Sequence, residues 1–276
     1  MFWNASYYIG PTVALTSTMT FFRLSFGVFV MILLMVWAGE LFFKDRTVKI
    51  NHITDTLPVP FWVTQLSRFF AMAAVAFVIT FTFMALGMIA QILKGGASLI
   101  EFDLFVYDIL GYNWGWLTYV LWIGLVFFIS GFTGNRFLTH ILCVGFFFGT
   151  ILAFELGLAE QTRFAFGAVP GLEDYSEING YGIWAVSAPW YFFMWTLLTF
   201  GFILLGILFW SRGEGKTWWK KLGVPGNQLG WTGKLVAAVA IIGFFVLQSF
   251  IVKNVNDVGN FTPSALEELE SAEYEQ

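Results

Sequence analysis

Six apolar stretches, each close to the length needed to cross a bilayer, decide what this chain can become. They run from Leu24 to Phe43, Phe69 to Leu93, Trp114 to Phe132, Phe137 to Phe154, Trp190 to Trp210 and Leu235 to Val252. A hydrocarbon core of about 30 Å takes about 20 helical residues. Inside it the backbone must satisfy its own N–H and C=O groups, which a helix does within one segment. The expected fold class is therefore all-α, a polytopic transmembrane helical bundle of about six spans. Composition fits lipid as the solvent. Of the residues 58% are hydrophobic and only 12% charged, against about 25% charged in a soluble domain. The chain divides into an N-terminal segment, 1–23, a membrane domain, 24–253, and an acidic tail, 254–276. The start of the first span is the least defined, because Thr12 to Phe22 is semi-polar and Arg23 interrupts the run.

Charge gives the expected orientation, since Lys and Arg gather on cytoplasmic loops. Lys44, Arg46, Lys49 and Arg68 follow the first stretch, Arg136 follows the third, and Arg212, Lys216, Lys220, Lys221 and Lys234 follow the fifth. The intervening loops carry Glu101, Asp103 and Asp108, then Glu155, Glu160, Glu173, Asp174 and Glu177, with only Lys94 and Arg163 against them. Six crossings then leave the N-terminal segment and the tail both on the non-cytoplasmic side. Trp114, Trp116, Trp184, Trp190 and Trp210 flank the stretches as an interfacial belt would. Met1 to Gly10 has no basic region and does not read as a cleavable signal. The net charge of −4 offers nothing to nucleic acid.

Chemistry-bearing constellations are sparse. His52 and His140 are the two histidines, and neither has a carboxylate or histidine at i+4; Asp55 at i+3 from His52 makes too few ligands for a metal. An isolated histidine at a span edge reads as an interfacial residue held by a hydrogen bond. Cys143, the single cysteine, lies within the fourth stretch and reads as a small apolar filler. Gly213-Glu214-Gly215-Lys216-Thr217 imitates the end of a P-loop, but the position where the first glycine belongs is Trp210. No catalytic residue, metal or cofactor is expected, and the chain does not read as an enzyme. Ionisable residues within spans are costly and point to partners or polar cavities. Arg23 and Glu40, at the edges of the first stretch, and Glu155, ending the fourth, are the candidates. Arg23 can snorkel outward and Glu40 toward the cytoplasmic face. A proton relay would need more carboxylates at mid-depth.

The most organised pattern is ELFFKDRTVKINHITDTLPVP, from Glu40 to Pro60. Val48, Ile50, Ile53 and Leu57 recur at roughly helical spacing, with Lys49, Asn51, His52 and Asp55 between them. A short amphipathic helix along the membrane surface is expected, stopped by Pro58 and Pro60. On pattern alone it is equally an anchor for a loop or a docking element. The exit from a span, the amphipathic segment and the Leu-Pro-Val-Pro leading into the next span resemble the region between the second and third spans of type-2 ABC exporter permeases. That resemblance implies that segment 45–58 is the coupling helix contacting a separate ABC ATPase subunit, through Arg46, Val48, Lys49, Ile50, Ile53, Leu57 and Pro58.

The resemblance extends over FWNASYYIGPTVAL, GNRFLTHIL and FELGLAEQTRFAFGAVPGLEDYSEINGYGIW, which look like the membrane portion of bacterial ABC permeases fused to a zinc aminopeptidase-like domain. It implies the bacterial inner membrane, a second permease half as partner, and an ATP-driven transport function without catalytic residues in this chain. The peptidase HExxH is absent from the sequence. An alternative is therefore a membrane anchor or scaffold for a periplasmic domain beyond this chain. If one span preceded Met1, the first five stretches would match the second to sixth of a six-span permease, and Leu235 to Val252 would be an extra one. Gly167, Pro170, Gly171, Gly180 and Gly182 shape the outer loop Glu160–Gly182, either as a partly re-entrant cap over the outer mouth or as an ordered connector.

Overall fold

The computed structural model describes residues 16–56, 59–94, 100, 115–157, 161, 164–170, 181–182, 184–210 and 230–258. The N-terminal segment before Thr16, the basic cluster from Arg212 to Lys221 and the tail after Val258 lie outside the described residues. Those described form helices α1 (Thr16–Thr47), α2 (Asn51–Thr54), α3 (Phe61–Lys94), α4 (Trp116–Thr133), α5 (Arg136–Glu155), α6 (Trp184–Phe209) and α7 (Gly230–Lys253), with a π-helical turn over Asn254–Val258. All but α2 are long and apolar enough to cross a membrane. The chain is a helical membrane-spanning bundle, as the apolar stretches require.

Helix limits differ from the apolar limits because hydropathy measures the lipid thickness, whereas i→i−4 hydrogen bonding continues into the interface. α1 begins at Thr16 rather than Leu24, passes through Arg23 unbroken, and continues past Phe43 to Thr47. α3 begins at Phe61, directly after Pro60, and not at Phe69; Val63 N–H already donates to Pro60 O. α6 begins at Trp184 and carries Pro189 inside its first two turns.

α4 is the hub and packs against α1, α3, α5 and α6. Within its apolar window 61% of the residues are buried, against 17% in both α5 and α7, which therefore turn most of their side chains to lipid. Its seam with α6 is built on small residues. Gly124 faces Thr199, and Gly131 faces Gly206 backbone to backbone; a Cβ on Gly206 would lie 2.6 Å from Phe127 O. Both helices repeat after seven residues, the period that keeps one seam in contact along two parallel helices. Phe128 and Phe202 stack beside the seam with centroids 4.7 Å apart. α7 runs antiparallel on α6, with Gly201 against Ile241 and Gly243 against Leu197. The six long helices alternate in direction, so the start of α1 and the end of α7 share one end of the bundle.

At that end the described part of the loop before α6, Phe164–Pro170, does not stay on the surface. Phe166 is buried edge-on between Trp122 and Trp195, with centroids 5.1 and 5.3 Å away, and also meets Phe146 and Phe202. Two local hydrogen bonds, Phe164 N–H to Gln161 O and Ala168 N–H to Ala165 O, satisfy backbone groups that lipid could not. Trp195 Nε1–H donates to Ala168 O at 2.9 Å. Gly167 takes φ 75° against the Trp122 ring, where a side chain would be strained. Residues 164–170 thus pack into the end of the bundle through Phe166, while 158–160, 162–163 and 171–180 of the loop lie outside the described residues.

Candidate functional site

At the opposite end, α1 finishes where α3 and α5 begin and where α4 and α6 finish. α1 ends in a Schellman turn: Ile50 N–H reaches Asp45 O and Lys49 N–H reaches Arg46 O. The residue that must enter the left-handed region is Lys49, at φ 59°, where glycine is the usual choice. The turn closes α1 and starts the single turn of α2 immediately afterwards. The expected amphipathic helix is thus shorter than its pattern suggested. Its first part, through Thr47, is the end of α1; Val48 to Ile50 form the turn, and α2 spans Asn51–Thr54. Helical spacing alone does not distinguish a continuous helix from two helices joined by a left-handed residue.

Val48, Ile50 and Ile53 nevertheless all face outward, Ile53 at 67% exposure. Val59 is exposed as well, as are Lys49 and His52 among them, so the turn and α2 present apolar side chains beyond the end of the bundle. Thr54 and Thr56 hydroxyls bond back to the α2 carbonyls, which holds the turn together locally. Leu57 and Pro58 lie outside the described residues.

Behind this surface the last turns of α1 are fastened to three neighbours. Asp45 pairs with Arg68 of α3 at 2.6 Å, and the same guanidinium donates to Phe42 O at 3.2 Å. Arg46 lies over the Trp210 ring at 3.9 Å, and Asp55 beyond α2 acts on it electrostatically. Trp210 also stacks flat on Phe61 at 5.5 Å and meets Phe42 edge-on at 4.9 Å. Phe42 and Phe69 both pack edge-on against Phe127 of α4. On the other flank Glu40 joins α5: Oε1 is 3.0 Å from His140 Nε2 and Oε2 is 3.7 Å from Arg136 Nη1. Gly39 makes room for the imidazole, since a Cβ there would lie 2.7 Å from His140 Cε1. Asn135 caps α5 by accepting from Phe137 N and Leu138 N.

The structure therefore separates the sequence candidates. Arg46 is engaged within the bundle, whereas Val48, Lys49, Ile50 and Ile53 face outward. Glu40 is paired across helices instead of snorkelling alone. The side chains of Arg23 and Glu155 lie outside the described part. Sequence reasoning assigned Trp210 to the interfacial belt and Arg68 to a loop; in the structure they are the anchors of α1. Nothing local to either residue signals that role, because each partner is distant in sequence. Gln65, on the buried face of α3, is also new. Its Oε1 and Nε2 have no partner among the described residues although the side chain is buried.

Comparison with family models, with curated proteins and with solved structures finds no match to this chain.

Proposed function

We propose that this chain is a permease subunit of an ATP-driven exporter of the type-2 ABC class. In this reading it sits in the bacterial inner membrane with both ends outside, and segment 45–58 meets a separate ATPase on the cytoplasmic side. A second permease half completes the pathway. The observation that carries the reading is the outward apolar surface of Val48, Ile50 and Ile53, fixed to the bundle through the ends of α1 and α3. An exposed apolar patch on a rigid mount suits a protein partner. A push on α2 would pass directly into α1 through the capped turn, into α3 through Asp45–Arg68, and into α6 through Arg46–Trp210. The Phe164–Pro170 segment would close the other mouth.

The test is copurification from native membranes, comparing the ABC ATPase recovered with Ile53→Glu against that recovered with the unchanged chain. Ile53 is the better probe than Arg46, whose replacement would also disturb Trp210. Loss of the ATPase with an unchanged melting temperature supports coupling. Retained association sinks it and favours the alternative of an anchor or scaffold for a periplasmic domain, to which α7 is suited by packing chiefly on α6 at the bundle edge. Orientation is read separately, by labelling single cysteines placed at His52 and at Asn256 in a Cys143→Ala background. Label reaching position 52 from outside the cell would overturn the assignment of sides.

A further inference from the structure

On the flank of the charged end, a groove of about 480 Å³ runs between α1 and α3. Its walls are Trp37, Leu41, Ala71, Met72 and Val75, and its mouth holds Lys44, Thr47 and Val48. Trp37 and Val75 are among the outward-facing residues of the bundle, so the groove opens sideways, toward lipid. Measured along α1 from Trp37 to Thr47 it extends about 15 Å, matching the hydrocarbon half-thickness of about 15 Å. An occupant of this groove is apolar over most of its length and meets polar groups only at one end.

The charge at that end has a definite sign. Glu40 also reaches the groove, but Arg136 and His140 stand against its two oxygens. Asp45 is taken by Arg68, and Asp55 acts on Arg46. No described carboxylate forms an ion pair with Lys44. The carbonyls at the end of α1 are bonded within the Schellman turn and offer little competition for its ammonium. Lys44 therefore brings an uncompensated positive charge to the mouth of an apolar groove at the depth of the lipid headgroups.

We propose that this groove is a binding site for one anionic phospholipid, with the phosphate on Lys44 and an acyl chain along Trp37, Leu41 and Val75. Basic positions between membrane helices, at headgroup depth, recognise lipid in this way. The groove meets the outward apolar surface only at Val48, which lines its end; Lys44, Trp37, Leu41 and Val75 take no part in the proposed ATPase contact.

Native mass spectrometry of the full chain in neutral detergent, titrated with phosphatidylglycerol and with phosphatidylcholine, tests it. One Lys-to-anionic-lipid contact predicts a preference for phosphatidylglycerol of about fivefold. Lys44→Gln removes the preference, Lys44→Arg keeps it, and Lys253→Gln, at the far end of α7, leaves it unchanged. Ala71→Trp fills the groove and lowers retention of both lipids. Lys44→Gln alters only an outward side chain, so it reports even if Ala71→Trp fails to fold. Equal retention of both lipids by the unchanged chain, or a preference that survives Lys44→Gln, overturns the proposal. Displacement of phosphatidylglycerol by inorganic phosphate at equal concentration overturns the lipid assignment in favour of a free-anion site.

Discussion

Among the described glycines, Gly131 is the one whose replacement by Ala meets backbone most directly. In the native seam Gly131 lies against Gly206 backbone, and a Cβ on Gly131 would run into Gly206 O and lie 2.6 Å from its Cα and carbonyl carbon. Ordinary contact needs 3.4–4 Å, so α4 and α6 must part by at least about 1 Å, and none of these obstacles is a flexible side-chain end. A gap of 0.5–1 Å forfeits about a quarter to a half of each dispersion contact across it, and dispersion is what holds membrane helices together. The losses include Gly124 against Thr199 and the stacked pair Phe128–Phe202. Overpacking costs about 1–3 kcal/mol, and the backbone obstruction puts Gly131→Ala at the upper end. Thermal unfolding in detergent, followed by near-ultraviolet circular dichroism of the tryptophans, measures it. Gly145→Ala is the control, since no atom lies within 4 Å of a Cβ there; it should be neutral or slightly stabilising, as Ala replaces Gly in a helix. Adding Gly206→Ala to Gly131→Ala should cost less than the sum, because the helices have already parted. If Gly131→Ala melts no lower than Gly145→Ala, the seam is not a close backbone contact and the reasoning fails.

Other perturbations probe the two ends of the bundle. Phe166→Ala empties the aromatic site between Trp122 and Trp195 and should cost about 3–5 kcal/mol; a melting temperature equal to the parent's would mean that the loop is not inserted. Lys49→Gly relieves a left-handed non-glycine residue at the price of unfolded-chain entropy, for a net gain of about 0.5–1 kcal/mol in chemical denaturation. Destabilisation instead would assign the Lys49 side chain a structural contact. Gln65→Leu removes a buried amide without a described partner and should stabilise by about 1 kcal/mol; a loss of that size would reveal a buried water or a partner on Gln65. A double-mutant cycle between Glu40→Gln and His140→Phe should return a coupling of about 0.6–1.7 kcal/mol, and strict additivity would mean that the 3.0 Å contact does not hold α1 to α5.

Number, class and approximate position of the spans were legible in the sequence because the solvent imposes them. Hydrocarbon accepts only long apolar segments whose backbone is internally bonded, and both requirements leave their mark residue by residue. The spacing of Val48, Ile50, Ile53 and Leu57 predicted one amphipathic helix, whereas the structure divides that stretch between the end of α1, a turn and the single turn of α2. Where α1 stops was not legible: its end depends on Lys49 accepting φ 59°, a conformation its side chain disfavours and the surrounding turn enforces. Nor could sequence distinguish the roles of chemically similar residues. Arg46 and Lys44 sit two positions apart, yet the first lies over Trp210 and the second stands at the mouth of the groove between α1 and α3. Arg68, His140 and Trp210 find their partners 23, 100 and 164 positions away in the chain. Such pairings follow from which helices become neighbours. That choice rests on close contacts such as Gly131 with Gly206, whose meaning appears only when the two helices lie side by side.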